Sequence, residues 1–361
     1  MIKNLKNIVI TVIIFSALFA CKKNSTVISQ RSYRMGFQNY APRLDFNLYI
    51  QTLNLWTQRA DAAMITTEVP WDSLFSGETP ENYVINNYKS LVDYYHSKNF
   101  KLWVYIDPEN GLDRGSDAIA LVTLGKSIAQ ADVQQVYRRF AVVMDSILRP
   151  DHLGLALETN LIRGAATDAI YQGIKQASNA AATDVRSFDK NVKMSVSVQV
   201  DYAWGKLDGS AYKGVSQDFS DFPFIEELGL SSYPYFSFNK PEDIPSDFYS
   251  KLVEGKNIPV FISEGGWTSQ TITGYSGQLI NSDPQIQQHY ITRQGQLLDQ
   301  VRAIGVFQLT FTDIDLASLP PSVPSSIKYF AYLGLVDANL VPRPALTTWD
   351  EIFKRPLSPG N

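Results

Sequence analysis

The sequence predicts an α/β protein of the (β/α)8 TIM-barrel class, with a single catalytic domain over residues 32–356. Three observations lead there. Short apolar runs alternate with longer helical stretches, the pattern of parallel strands joined by crossover helices. Eight such units fit along the chain, the number at which a parallel sheet of this kind closes on itself. Two of the apolar runs end in a glutamate, at the strand end where barrels of this class place their chemistry. An open doubly wound sheet uses the same alternation and is the rival arrangement.

The elements follow in order. The first strand is expected over Tyr33–Gln38 and a helix over Asp45–Gln58, then a strand over Asp61–Thr67 and a helix over Asn82–Lys98. The third strand is the run Lys101-Leu102-Trp103-Val104-Tyr105-Ile106, and its helix, Ala131–Leu148, is closed by Arg149-Pro150. The fourth strand spans His152–Leu157, with a helix over Asp168–Ser187. The fifth is Lys193–Val200 and the sixth Ile225–Ser231, followed by a helix over Pro245–Gly255. The seventh, Pro259–Ser263, leads through a helix at Pro284–Ile304 to the eighth, Val306–Phe311, and a last helix begins near Pro344 and includes Trp349 and Ile352. Long loops at Asp107–Gln130, Gly265–Asp283 and Thr312–Ser326 lie at the functional face and suggest an extended ligand.

Composition excludes several function classes. With 32 basic and 36 acidic residues the net charge is −4, and no lysine-rich run occurs, so nucleic acid is not an expected partner. The histidines, His96, His152 and His289, are too far apart for a zinc motif, and no glycine-rich phosphate loop is present. Neither a metal nor another cofactor is expected. Asp107-Pro108-Glu109-Asn110-Gly111 lacks the length and oxygen spacing of a calcium loop and reads as a turn. The aromatic content of 12 %, including 19 Tyr and 6 Trp, suits a carbohydrate ligand, whose apolar faces stack on rings, though a large core would also use it.

The N-terminus reads as a targeting segment. Lys3 and Lys6 precede an apolar stretch over Ile8–Ala20, too short to span a bilayer and right for a signal sequence. Leu18-Phe19-Ala20-Cys21 resembles the bacterial lipobox, which implies cleavage before Cys21 and lipidation of that residue, the chain's single cysteine. Residues 1–21 would then be a signal peptide and 22–31 a tether, placing a monomeric protein at the cell envelope by a lipid anchor rather than a transmembrane helix. An ordinary secretory signal with a chance cysteine is the alternative.

The chemistry is expected from Leu153-Gly154-Leu155-Ala156-Leu157-Glu158 and Ile258-Pro259-Val260-Phe261-Ile262-Ser263-Glu264. Glutamates ending the fourth and seventh strands can face each other across a barrel mouth. Glycoside hydrolysis needs such a pair, one carboxylic acid to protonate the leaving oxygen and one carboxylate to attack the anomeric carbon. Two strand-end carboxylates held in ion pairs are the plain structural alternative.

On these residues the sequence resembles the clan of retaining (β/α)8 glycoside hydrolases, with arabinogalactan endo-β-1,4-galactanases as a loose comparison. Ile262-Ser263-Glu264-Gly265-Gly266-Trp267 resembles the clan's nucleophile strand, and Gly229-Leu230-Ser231-Ser232-Tyr233-Pro234-Tyr235 its sixth strand. Gly334-Leu335-Val336-Asp337 through Pro342-Arg343-Pro344-Ala345 resembles its closing segment. The resemblance implies Glu264 as nucleophile, held ionised by hydrogen bonds that Tyr233 could supply, and Glu158 as acid/base with a raised pKa. It departs at Leu157, where the clan carries an asparagine for the sugar 2-hydroxyl; the nearest amide is Asn160.

Asp107, Trp204, Tyr233, Tyr235 and Trp267 join Asn160 as candidate substrate contacts, Trp204 and Trp267 as stacking platforms. Glu68, Glu109, Asp201 and Asp313 are further strand-end acids, expected to be structural or substrate-orienting. Three functions compete: a retaining hydrolase of β-linked polysaccharide or oligosaccharide, a transglycosylase using the same pair, and an inactive barrel that binds glycans, which Leu157 favours.

Overall fold

A computed structural model of the protein describes residues 29–321 and 323–358. Eight parallel strands form one sheet: Arg34–Phe37, Ala62–Glu68, Lys101–Asp107, His152–Gly154, Lys193–Gln199, Glu227–Ser232, Val260–Gly265 and Ala303–Gln308. Second through eighth pair in sequence order, and the eighth also pairs with the first, Arg34 opposite Gly305. Between the first and second strands the barrel closes through the bridge of Gln38 with Met64 and the bond from Asp61 N–H to the Met35 carbonyl at 3.0 Å. The (β/α)8 barrel is thus the observed fold, and the open sheet is excluded by this closure.

Side chains divide the core into two parts. Met64, Trp103, Tyr105, Phe261 and Phe307 fill the barrel's interior, while Leu102, Val104 and Ile106 point outward to the helices. Such alternation is what a strand of period two requires when both faces are buried. Near the barrel's N-terminal end Trp103 lies flat on His152, ring centroids 3.7 Å apart, and His152 Nδ1 bonds to Glu227 at 2.8 Å. His152 therefore serves the barrel floor.

The helices start where backbone donors find caps. Asp45 accepts from Leu48 N–H at the helix Phe46–Trp56, Thr167 from Ile170 N–H at Asp168–Phe188, and Asp283 from Gln285 and Ile286 N–H at Pro284–Leu298. Ala131–Leu148 ends at Arg149 in the left-handed region (φ 48°), ahead of Pro150.

Five elements differ from expectation. Pro245–Gly255 holds only the 3-10 turn Ser250–Val253. Leu298 ends the helix after the seventh strand, and the eighth strand begins at Ala303, three residues earlier than Val306. The regular fourth strand stops at Gly154 although its ladder continues irregularly, Leu155 N–H bonding Ser195 O and Ser197 N–H bonding Ala156 O, each at 3.0 Å. Immediately after it, Thr159–Ala165 forms a short helix that the apolar pattern does not announce.

The first and last described segments meet: Arg31 N–H bonds Pro356 O and Ser358 N–H bonds Arg31 O, both at 2.9 Å. The expected signal segment and Cys21 lie outside the described residues. Among the described residues, no helix is long and apolar enough to cross a membrane, and no group of His, Cys, Asp or Glu is arranged to hold a metal ion.

Candidate active site

All eight strands direct their C-terminal ends toward one cleft of about 1310 Å³. Glu68, Asp107, Glu158 and Glu264 lie in its wall, from the second, third, fourth and seventh strands, with Arg114 as the guanidinium among them. A wall this rich in acceptors suits hydroxyl donors and repels anionic ligands.

Glu158 stands in the left-handed region, φ 48° and ψ 43°, at the junction between the fourth strand and the helix Thr159–Ala165. For a non-glycine residue this backbone costs about 1–3 kcal/mol and persists where the surroundings over-determine it. Here its N–H donates to Ser197 Oγ at 2.9 Å, Ser231 Oγ donates to Oε1 at 2.6 Å, and Arg114 Nε donates to Oε2 at 2.9 Å. Both carboxylate oxygens are thus engaged. Arg114 also donates through Nη1 to Asp107 Oδ2 at 2.7 Å, bridging two carboxylates.

Glu264 reaches the cleft through an irregularity in its strand. Pairing with the sixth strand runs Leu230 with Ile262 and then Ser231 with Glu264, so Ser263 is extra. Phe261 points into the barrel and Ile262 outward; strict alternation would turn Glu264 outward as well, and the bulge re-aims it. Gly265 allows the approach that follows, since a Cβ there would lie 2.4 Å from Ser232 O.

Burial, then the charge of Glu158, pushes Glu264 up to about 8, against the charge of Arg114 and a hydrogen bond from Ser231. Ser231, whose hydroxyl donates to Glu158, therefore also stands near Glu264. Burial beside Glu158 thus favours the protonated form of Glu264, where the expectation is a carboxylate held ionised. The electropositive partner of Glu158, Arg114, comes from the loop after the third strand. Burial also raises Asp107 and Glu68, and Arg114 opposes it in both.

The remaining expected contacts separate into two groups. Asp107 and Tyr233 line the cleft. Burial and the charge of Glu264 raise the Tyr233 phenol well above its usual value, so the ring lies within electrostatic reach of that carboxylate.

Asn160, Tyr235, Trp204 and Trp267 are corrections: each is held by the protein itself. Asn160 is 1 % exposed, donates to Gln199 O at 2.9 Å and accepts from Gln199 N–H and Leu161 N–H, which leaves its amide no role toward a sugar. Tyr235 donates to Tyr329 O at 2.9 Å and is buried. Trp267 is buried against Tyr235 and Tyr290 and donates to Ser282 Oγ at 3.1 Å. Trp204 packs on Tyr212 and Phe248 outside the cleft wall and donates to Phe248 O at 2.9 Å.

Of the other acids, Asp313 is paired with Arg343, and Asp201 accepts from Tyr233 N–H at 3.3 Å while burial holds it near 6. Glu109 is 1 % exposed, and burial with the charges of Asp117 and Asp107 pushes it up to about 10, which keeps it neutral beneath the cleft.

Sequence reasoning passed over Arg114 and Ser231. Nothing marks Arg114 inside a long aperiodic loop, whereas Ser231 had a signal: a polar side chain at the end of an apolar strand facing the mouth. The aromatic platforms were also misplaced. Phe236, Tyr275 and Phe330 line the cleft, Tyr275 from the tip of the hairpin formed by Ile272–Thr273 and Leu279–Ile280.

No family model matches the sequence, and no curated protein does. Solved structures share the fold. An exo-β-1,4-mannosidase, Op5Man5 from Opitutaceae bacterium strain TAV5, superposes with a TM-score of 0.66 at 13 % identity over 91 % of this chain, which spans 60 % of that one. A GH5_18 variant from Bifidobacterium longum subsp. longum ATCC 55813, in complex with Manb1-4GlcNAc, gives 0.61 at 15 % identity, covering 91 % of this chain and 80 % of that one. The family 1 β-glucosidase of Thermotoga maritima gives 0.60 at 12 % identity, with 86 % of each chain covered. At these identities the likeness establishes the barrel.

Proposed function

We propose that the protein is a retaining glycoside hydrolase acting on β-linked sugars, with Glu158 and Glu264 as its two carboxyl groups. The observation that carries the reading is their placement: they end the fourth and seventh barrel strands and open into one cleft, close enough that the charge of Glu158 raises Glu264. The structural neighbours with this fold, a β-mannosidase and a β-glucosidase by name, support the same reaction class. Loose similarity to galactanases remains a resemblance of short motifs.

In such a double displacement the acid gives its proton to the leaving oxygen while the other carboxylate forms the glycosyl ester. Water then hydrolyses that ester, and the proton is returned. Glu158 takes the acid/base role and Glu264 the nucleophile in the clan's arrangement. Before substrate binds, burial and the charge of Glu158 favour a proton on Glu264, holding it near 8. Ser231 is placed to pass that proton to Glu158, and substrate hydroxyls entering beside Arg114 would loosen its grip on Glu158. The Arg114 ion pair also favours a second reading, in which the roles are exchanged and Glu158 attacks.

Leu157 lies in the cleft wall where the clan's amide would be. The 2-hydroxyl then meets carboxylate acceptors, Glu68 or Asp107, rather than an amide. This reading also carries forward the envelope tether through Cys21, which incorporation of a labelled fatty acid, lost in Cys21→Ser, would test.

The deciding assay is release of reducing sugar from β-galactans, β-mannans, β-glucans and xylans by the native protein beside Glu264→Ala. Release by the native protein alone supports the reading. Silence from both, with glycan binding intact, would replace it by an inactive glycan-binding barrel.

A further inference from the structure

We infer that the hairpin of Ile272–Thr273 and Leu279–Ile280, with the loops after the sixth and eighth strands, forms a subsite for a second pyranose, so that the substrate is a β-linked oligosaccharide rather than one sugar on a non-sugar group. The inference rests on the glycosidase reading and narrows its substrate class. Four rings of the cleft wall join into one surface. Tyr233 meets Phe330 at 5.0 Å between centroids, Phe330 meets Phe236 at 6.1 Å, and Phe236 meets Tyr275 at 5.0 Å. Tyr329 backs the outer end, 4.0 Å from Tyr275. The inner end lies by the reacting groups, where Tyr233 is within electrostatic reach of Glu264. Tyr40, Phe46 and Tyr49 line the cleft separately, from the segment after the first strand.

Two features say what this surface takes. It is fastened on all sides. At the hairpin's base Trp267 Nε1 donates to Ser282 Oγ at 3.1 Å, and Ser282 N–H donates to Thr271 Oγ1 at 3.2 Å. Ser269 N–H donates to Tyr332 O at 2.8 Å, and the Tyr235 hydroxyl donates to Tyr329 O at 2.9 Å, which ties the seventh- and sixth-strand loops to the eighth. Such a wall loses little conformational freedom when a ligand arrives. The second feature is its free ring face: Tyr275 stands 56 % exposed at the hairpin tip. Desolvation raises its phenol, and the charge of Glu158, ahead of that of Glu264, adds to the shift, so the tip stands within electrostatic reach of both carboxyl groups. Ser276 and Gln278 line the cleft beside it. Ring faces for the C–H face of a pyranose, with hydroxyl and amide groups for its polar rim, match a sugar; an alkyl or aryl group would leave those polar groups unused. The cleft, about 1310 Å³, exceeds the ~300–1,000 Å³ usual for a small-ligand pocket and has room for more than one ring.

The test is calorimetric binding of methyl β-glycosides and of the β-1,3- and β-1,4-linked di- and tetrasaccharides of glucose, mannose, galactose and xylose. The protein is full-length Glu264→Gln, which keeps the ligands uncleaved, alone and with Tyr275→Ala, Tyr275→Phe or Leu279→Ala added. Turnover by the native protein is followed in parallel. Leu279 lies on the same hairpin, 64 % exposed and outside the cleft wall, so its replacement controls for the hairpin's folding. In at least one series the disaccharide should bind about tenfold more tightly than the methyl glycoside, a difference of about 1.4 kcal/mol. Tyr275→Ala should remove most of that difference, while Tyr275→Phe and Leu279→Ala keep it. Equal affinity for mono- and disaccharide in every series, an undiminished difference in Tyr275→Ala, or an equal loss in Leu279→Ala would overturn the subsite even if every oligosaccharide is hydrolysed. Conversely, a difference lost only in Tyr275→Ala, without turnover by the native protein, would retain the subsite and remove the hydrolase.

Discussion

Arg114 and Glu158 form a buried ion pair, Nε to Oε2 at 2.9 Å, with side chains only 6 % and 9 % exposed. The same guanidinium holds Asp107 at 2.7 Å. One cation therefore offsets two buried carboxylates in a segment with no regular secondary structure of its own. The loop after the third strand is consequently part of the site, and its conformation and the ionisation of Glu158 are coupled. Replacing Arg114 with Met would leave two buried acids facing each other. The expected loss is about 3–5 kcal/mol near pH 8, shrinking toward pH 5 as the carboxylates take up protons. Urea unfolding at both pH values measures it, and equal losses at the two would show that the pair is not ionised.

Glu264 makes stability itself pH-dependent. Its folded-state pKa, about 8, lies above the usual 4.5. Between these values the native state binds more protons than the unfolded chain, so this residue's contribution to stability falls as pH rises through the window. Glu264→Gln, neutral at every pH, should flatten the decline between pH 4.5 and 8 and unfold at higher urea than native protein at pH 8. A parallel decline in the variant would assign the pH dependence to other buried acids, Glu109 foremost, since burial pushes it up to about 10, and then Asp145 and Asp201, held near 7 and 6.

The two possible role assignments separate by leaving group. A dinitrophenyl glycoside departs without needing a proton, so loss of the acid spares its cleavage while loss of the nucleophile does not. In the clan's arrangement Glu158→Ala should keep the first-step burst of dinitrophenolate and Glu264→Ala should lose it, by at least a hundredfold. The opposite outcome would assign attack to Glu158, as its Arg114 partnership favours. Ser231→Ala is the companion variant. Loss of that hydroxyl removes a bond that lowers Glu264 and one that holds Glu158, so the alkaline limb of the pH–rate profile should move upward.

The sequence made the barrel and its two glutamates legible because both rest on local regularity. Lys101–Ile106 is apolar on both faces as a buried parallel strand is, and Lys193–Gln199 sets Met194, Val196 and Val198 on one face against small buried serines on the other; a carboxylate closing such a run has few structural uses. What escaped depends on irregularity or on distance. The bulge at Ser263 and the left-handed turn at Glu158 break the period that sequence reading relies on. Arg114 meets Glu158 across 44 residues of chain, a contact that no local pattern announces. Trp267 and Tyr235 were misjudged because an aromatic near a strand end looks the same whether it faces the cleft or, as here, the helices behind it. Their N–H and O–H found partners in Ser282 and the Tyr329 carbonyl, and that satisfaction marks them as packing.

Beneath the site, Tyr105 lies between two glycines that only tertiary structure explains. Its hydroxyl bonds Ser195 Oγ at 2.8 Å, a Cβ on Gly154 would meet its ring at 2.3 Å, and a Cβ on Gly229 would meet its hydroxyl at 2.5 Å. The ring fills the barrel interior and has no room to move, because Phe261 crosses it at 5.8 Å. Gly154→Ala should therefore cost about 1–3 kcal/mol by overpacking. Shortening the ring in Gly154→Ala/Tyr105→Leu should recover part of that loss, a coupling that a double-mutant cycle reads directly. Additive losses in the cycle would mean that the strain at Gly154 comes from its backbone rather than from Tyr105. Since Gly154 lies on the same irregular ladder that leads to Glu158, the same variant should also lower activity, because the ring beneath holds the fourth strand in register.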